Sequence, residues 1–224
     1  MNHPPLIIAI DGPAASGKGT IAKRLAAELD FAHLDTGLLY RATALAVLRA
    51  GGDPADAPSA TEAASALQTG GLSGFSDPAL RADATAQAAS KVAAIPGVRA
   101  ALLEFQKNFC ATPPHGKRGA VLDGRDIGTV IAPQAPVKLY ITASLEARAE
   151  RRFKELQARG ENDTYAAVFR DMAERDSRDA ARVTAPTKPA SDAVIIDTTR
   201  MTAEEAFAEA LRTTRQVLAL ETPT

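Results

Sequence analysis

The sequence predicts a three-layer α/β fold: a mostly parallel, five-stranded sheet covered by helices on both faces. Three observations carry that expectation. Short apolar runs at 6–11, 32–35, 120–122, 137–141 and 193–196 read as strands. Helix-period segments separate or follow them, the alternation expected of parallel sheets buried on both faces. The first run also leads through a glycine-rich loop straight into a helical pattern, the context a phosphate-binding loop requires.

Taken in order, LIIAID (6–11) is a continuous apolar run ending in Asp, followed by GPAASGKGT and the helical stretch IAKRLAAELD. A second short strand is expected at Ala32 to Asp35. Thr36 is expected to cap the next helix, which carries Leu38, Leu39, Ala42, Leu45, Ala46 and Leu48 at three- and four-residue spacing and ends at Gly51-Gly52. From about Asp53 to Ser90 the chain is rich in Ala, Ser, Gly and Pro with weak helical patterning. It reads as an insert at the sheet's edge, and TGGLSGFSDP within it takes no assignment. A helix is expected from about Pro96, since proline suits a first turn, and PPHG at 113–116 separates it from the third strand.

Bulk composition narrows the function. The 224 residues are 46% hydrophobic, enough for a real core and within the range of one domain. Lys and Arg number 26 against 27 Asp and Glu, a net charge of -1, so no global positive field draws in nucleic acid and any anion site must be local. The apolar runs fall short of the roughly 20 residues that cross a bilayer, and MNHPPLIIAIDG has no basic start before its apolar run. A cytoplasmic, soluble chain without a membrane partner is expected, and monomer is the default because no zipper is visible. Cys110 is the single cysteine, expected to pack as a small helix residue. His3, His33 and His115 have no metal-ligand spacing, so no protein-held metal site is assigned.

Gly12, Pro13, Ala14, Ala15, Ser16, Gly17, Lys18, Gly19 and Thr20 contain GxxxxGK between strand and helix. Such a loop turns tightly and aims successive N–H groups at phosphate oxygens, the helix N-terminus adds partial positive charge, and Lys18 is expected to reach the outer phosphates of a bound nucleotide. Gly19 stands where the general motif has Ser or Thr, and the hydroxyl follows at Thr20. GKGT is the variant of nucleoside monophosphate kinases, and Mg2+ is accordingly expected to be held mainly by phosphates and water.

Arginines narrow the acceptor. Arg148, Arg151 and Arg152 lie one turn apart on the helix after 137–141, and Arg159-Gly160 marks its end. A further helix carries Arg175, Arg178, Asp179 and Arg182 at i, i+3, i+4 and i+7, on one face. Phosphoryl transfer needs alignment and charge stabilisation more than covalent help, which arginines supply.

Five segments then resemble the bacterial-type cytidylate kinases: AIDGPAASGKGTIAK (9–23), LDTGLLYR (34–41), ASKVAAIPGVRAAL (89–102), LDGRDIGTVIAPQAPVKLYITAS (122–144) and ERDSRDAARVTAP (174–186). They run in the family's order over most of the chain. The resemblance implies an ATP-dependent phosphorylation of CMP and dCMP with Mg2+, a P-loop fold with core segments 1–50, 91–145 and 190–224, an acceptor-binding arm at about 51–90 and an arginine-rich lid at about 148–186. Thr36, Tyr40, Arg41 and Arg125 look like the clamp on the acceptor phosphate. Ser90, Arg99 and Asp126 look like the reader of cytosine. Arg175, Asp179 and Arg182 resemble the sugar-side and lid contacts. Lys18, Arg125, Arg148, Arg152 and Arg178 are the catalytic set implied. The chemistry agrees, since a carboxylate answers the exocyclic amine of cytosine while a guanidinium and a hydroxyl answer its two acceptors.

The chain departs from the family at residues 68–80, where QTGGLSGFSDPAL is short and Gly-rich in place of a longer insert, so closure of the arm is expected to differ. Kinases for UMP or for a non-nucleotide alcohol are the rivals within the class; DGRD and RDSRD argue against the alcohol. An ATP-holding adaptor has no need of the acceptor set, and no NKxD-type guanine reader supports a switch GTPase.

Overall fold

The computed structural model describes residues 4–70, 77–182 and 184–219. In chain order the elements are β1 (Leu6–Asp11), α1 (Lys18–Leu29), β2 (Ala32–Asp35), α2 (Thr36–Arg49), α3 (Ala57–Gly70), α4 (Asp77–Arg81), α5 (Asp83–Val92) and α6 (Pro96–Ala111). A short 3-10 turn (Pro114–Gly116) precedes β3 (Gly119–Gly124). A single π-helical turn (Ile127–Ile131), β4 (Val137–Thr142), α7 (Leu145–Ala158), α8 (Tyr165–Ala180), β5 (Val194–Asp197) and α9 (Ala203–Val217) complete it. The sheet runs β2-β3-β1-β4-β5, and every pairing is parallel.

Strand periodicity builds the layers. Ile8 and Ile10 of β1 pack with Val121, Leu139 and Ile141 against Ile21 and Leu25 of α1 and Ala206 and Ala210 of α9. Ile7 and Ala9 point the other way, into a second core with Leu34, Leu122, Ile127 and Phe109 of α6. Both faces of β1 and β3 are buried, so these central strands read as near-continuous apolar runs, while edge strand β5 leaves Val194 and Ile195 exposed.

The insert from Asp53 is helical. Its weak pattern has a physical cause: the buried positions of α3 and α5 that pack on Leu39, Val47, Val98 and Leu102 are Ala60, Ala64, Ala88 and Ala89. Alanine buries little area and leaves a faint hydrophobic signature. Residues 71–76 of TGGLSGFSDP lie outside the described residues. A further small core joins α7 and α8 through Ala149, Leu156, Val168 and Met172.

Thr36 is not the cap of α2. Asp35 occupies that position, and the buried Thr36 hydroxyl donates to the Asp123 carbonyl at 2.8 Å. Parallel pairing of β2 with β3 sets Asp35 beside Asp123, which brings that carbonyl within reach. Cys110 is half-buried against the second core, and burial pushes its thiol up to about 11.

Candidate active site

The C-terminal ends of β1, β2 and β3 open onto a cleft of about 380 Å3, roofed by α5, α7 and α8. On its floor the glycine-rich loop joins β1 to α1. Gly12 has φ +149, and a β-carbon there would stand 2.0 Å from the Ile141 carbonyl oxygen of β4, so only glycine lets the loop leave the sheet this tightly. Gly17 has φ +91, immediately before α1. Lys18 opens α1, lines the cleft and donates to the Pro13 carbonyl at 3.2 Å. Burial, with Arg125 second, pushes its ammonium down to about 7. Ala14, Ala15, Gly19 and Thr20 also line the cleft, whereas the Ser16 hydroxyl is buried without a partner among the described residues.

A second group gathers around Asp126 and Asp179. Asp126, after β3, forms a buried ion pair with Arg99 of α6, and the Tyr40 ring lies 5.7 Å from the Arg99 guanidinium. Burial raises the Asp126 carboxyl above its usual range, with Arg99 opposing. Asp179 of α8 accepts from Ser90 Oγ of α5 at 3.0 Å, from Arg125 Nε at 3.2 Å and from Arg182. Burial works against its charge, yet Arg125, Arg182 and Arg175 hold its carboxyl below the usual range. Ser90 and Arg99, both expected to read one base, therefore engage different aspartates.

Between these groups stand cations with no carboxylate ion pair among the described residues. Arg41 donates to the Leu80 carbonyl at 3.1 Å, and burial lowers its pKa. Arg175 Nε is buried without a partner among the described residues. Burial, with Arg125 second, pushes the Arg175 guanidinium down to about 9. Lys18, Arg41 and Arg175 thus converge, beside the Asp179-paired Arg125, on one region of excess buried positive charge that an anion would relieve.

The lid arginines divide. Arg148, Arg151 and Arg152 span about 100° of the helix surface, so opposite edges meet different neighbours. Arg152 lines the cleft and pairs with Asp83 and Glu155, each at 2.9 Å. Arg148 is buried beneath it, donating to Ala143 O at 3.0 Å, to Ala14 O of the glycine-rich loop at 3.3 Å and to Asp176 at 2.6 Å. Arg151 donates to Thr198 Oγ1 at 3.0 Å. Arg175 and Asp179 share one face of α8 and line the cleft; Arg182, expected on the same helix, lies two residues beyond its end, yet lines the cleft too and pairs with Asp179. Arg178 sits at the outer edge, outside the cleft lining, and donates to Gln87 Oε1 at 2.9 Å. Of the expected catalytic arginines, the structure brings Arg125 and Arg152 to the cleft and leaves Arg148 and Arg178 behind its wall.

Three acidic residues carry more than sequence reasoning drew from them. Asp11, at the end of β1, accepts the backbone N–H groups of Ile127 at 2.7 Å and Gly128 at 2.8 Å. Asp35 and Asp123 line the cleft beside Lys18 and Thr20, and His33 Nε2 lies 2.9 Å from Asp123 Oδ1. Burial and then Asp123 raise the Asp35 carboxyl above its usual range. A divalent cation would relieve that opposition, so the pair fits Mg2+ held at the loop's end. Among the described residues no group of three or more His, Cys, Asp or Glu side chains is arranged to hold a metal alone. Asp35 could have been found in LDTG; Asp11 had no local signal beyond ending an apolar strand.

Known proteins give a concordant answer. A family model described as cytidylate kinase matches residues 8–216. A cytidylate kinase of Paramagnetospirillum magneticum is 61% identical over 92% of this chain and 95% of its own length. One of Rhodospirillum rubrum is 56% identical over 92% and 95%. Among solved structures, an uncharacterized protein from Eubacterium ventriosum superposes with a TM-score of 0.51 at 14% identity, covering 92% of this chain and 96% of that one, a likeness of fold.

Proposed function

The chain belongs to the cytidylate kinase family, and from that premise we propose that it transfers the γ-phosphoryl group of ATP to CMP and dCMP, giving CDP and dCDP. One observation carries the reading: Lys18, Arg41 and Arg175, with no ion pair among the described residues, converge beside Arg125 between the glycine-rich loop and the Asp126–Asp179 network. That is where two phosphate chains would meet end to end.

In this reading the loop 12–20 holds the ATP phosphates through its N–H groups, with Lys18 on the outer ones. Thr36, Tyr40, Arg41 and Arg125 hold the acceptor phosphate. One of its oxygens attacks the γ-phosphorus, the bond to the β-phosphate bridging oxygen breaks, and ADP leaves. Arg125, Arg152 and Arg175 stabilise charge on the moving group, while Arg148 braces the loop through Ala14. Asp126 accepts from the cytosine amine, with Arg99 on the ring acceptors and Ser90 beside them. Asp179 and Arg182 take the sugar. Arg178 acts indirectly, by holding Gln87 at the cleft. Mg2+, held by Asp35 and Asp123 through water and by the phosphates, would offset phosphate charge when bound. We further propose that residues 51–90 form the acceptor arm and 148–186 the lid around a core of 1–50, 91–145 and 190–224. The enzyme works as a cytoplasmic monomer in pyrimidine nucleotide metabolism.

ADP formation with ATP and each of CMP, dCMP, UMP, AMP and GMP tests the assignment. CMP and dCMP should lead; preference for AMP, or no turnover with any, overturns it.

A further inference from the structure

Asp11 is among the most buried charged residues, 3% exposed, and no ion pair answers it among the described residues. Its nearest cation by sequence register, Lys138 of β4, sends its ammonium to Asp192 at 2.6 Å. Both carboxylate oxygens are instead given to backbone: Oδ1 to Ile127 N–H and Oδ2 to Gly128 N–H. These are the first two N–H groups of the π-helical turn, whose flanking Asp126 provides no side-chain cap. A carboxylate is suited to this because it accepts at both oxygens; an amide would turn its NH2 against one of the two donors.

The placement of that turn matters. Asp11 lies opposite Gly124 in the β1-β3 register, so the chain from 124 to 128 wraps its side chain. That stretch presents Arg125 and Asp126 to the cleft. Glycine at 128 keeps the approach open, since a β-carbon there would stand 3.2 Å from the Lys138 side chain and 3.4 Å from Asp11 Oδ2. Asp11 also directly precedes Gly12, so a single residue joins the donor loop to the acceptor turn.

We propose that Asp11 is a positioning residue for the acceptor: its carboxylate holds the 125–128 turn so that Arg125 and Asp126 are aimed into the cleft. The proposal rests on the CMP kinase reading and adds a residue to it. Ionised Asp11 holds both N–H groups; protonated Asp11, with one donor and reduced acceptor capacity, resembles asparagine. The ionisable groups facing it are Arg125 and Asp126 from the turn and Tyr140 from β4, with the Lys138 stem alongside. Burial pushes the carboxyl up to about 6, with the two N–H bonds opposing.

The test compares wild type with Asp11→Asn. KM for CMP should rise about tenfold and the CMP-over-UMP preference in kcat/KM should fall about tenfold, while affinity for a fluorescent ATP analogue stays within about threefold. The ratio of wild-type to Asp11→Asn kcat/KM cancels the ionisation of CMP itself. It should fall toward unity as pH drops below about 6, because protonated wild type becomes asparagine-like. Unchanged CMP KM and selectivity, or a ratio flat from pH 5 to 8, overturns the proposal. Loss of ATP and CMP binding together overturns it too, by showing a general structural role. Should Asp11→Asn fail to fold, Gly128→Ala decides: raised CMP KM with ATP affinity kept supports the proposal, and unchanged CMP KM overturns it. A wild type that does not phosphorylate CMP fails the parent reading; a wild type that does, with an indifferent variant, fails this one alone.

Discussion

The two halves of the cleft treat positive charge in opposite ways. Around Asp126 and Asp179, arginines are neutralised in advance: Arg99 by one aspartate, Arg125 and Arg182 by the other. Toward the glycine-rich loop, Lys18 and Arg175 have no ion pair among the described residues, and burial, with Arg125 second, pushes both well below their ordinary values. A prepaired arginine is fixed in place and reads shape and hydrogen bonds; an unpaired one is a standing cost that only an anion relieves. In the proposed reading the prepaired side would recognise base and sugar, the unpaired side would receive phosphate, and Arg125 would stand at their boundary.

Removing the unpaired charges should break the phosphate half most severely. Lys18→Ala should lower kcat/KM on the order of a thousandfold with every acceptor; normal rates would contradict its placement on the donor. Arg175→Met should cost about a hundredfold in rate while raising Tm by about 2 to 4 °C, read by calorimetry on the unliganded protein. A fall in Tm would show that Arg175 is compensated after all.

The prepaired half should respond in selectivity instead. Asp126→Ala should raise KM for CMP and reduce the CMP-to-UMP ratio of kcat/KM on the order of tenfold or more, because the cytosine amine loses its acceptor. An unchanged ratio would remove Asp126 from base reading.

The pH dependence of stability sharpens the contrast. Lys18 titrates near 7 in the folded chain against 10.5 unfolded, so its charge costs stability in full below pH 7 and less as pH rises toward 10. Lys18→Met should therefore melt higher than wild type at neutral pH, with the gap closing by about pH 10. The smallest effect belongs to Arg178→Ala, which should change kcat within about threefold, since Arg178 itself lies outside the cleft lining and reaches it through Gln87 of α5. Arg152→Ala, on the cleft side of α7, should lose far more.

The strands were legible because most centre on short apolar runs, and β2, AHLD, falls at Ala32–Asp35 as expected. The arm was less legible, since alanines carry its packing. Site residues on one segment, such as Gly12 to Thr20, could be read together. Those on α7 and α8 could be grouped by helical period, but period alone did not say which edge of Arg148, Arg151 and Arg152 would meet the cleft. Asp11 was invisible as a site residue, its partners being backbone N–H groups 116 and 117 residues away.

By itself, then, the sequence determined the parallel sheet, the phosphate loop and the family, because these rest on local periodicity and on contiguous motifs. Only the tertiary structure decided which charges are compensated. Ser90 and Asp179 lie 89 residues apart and Arg125 and Asp179 lie 54 apart, and whether a guanidinium is paired or waiting for phosphate depends on which distant carboxylate the fold brings to it.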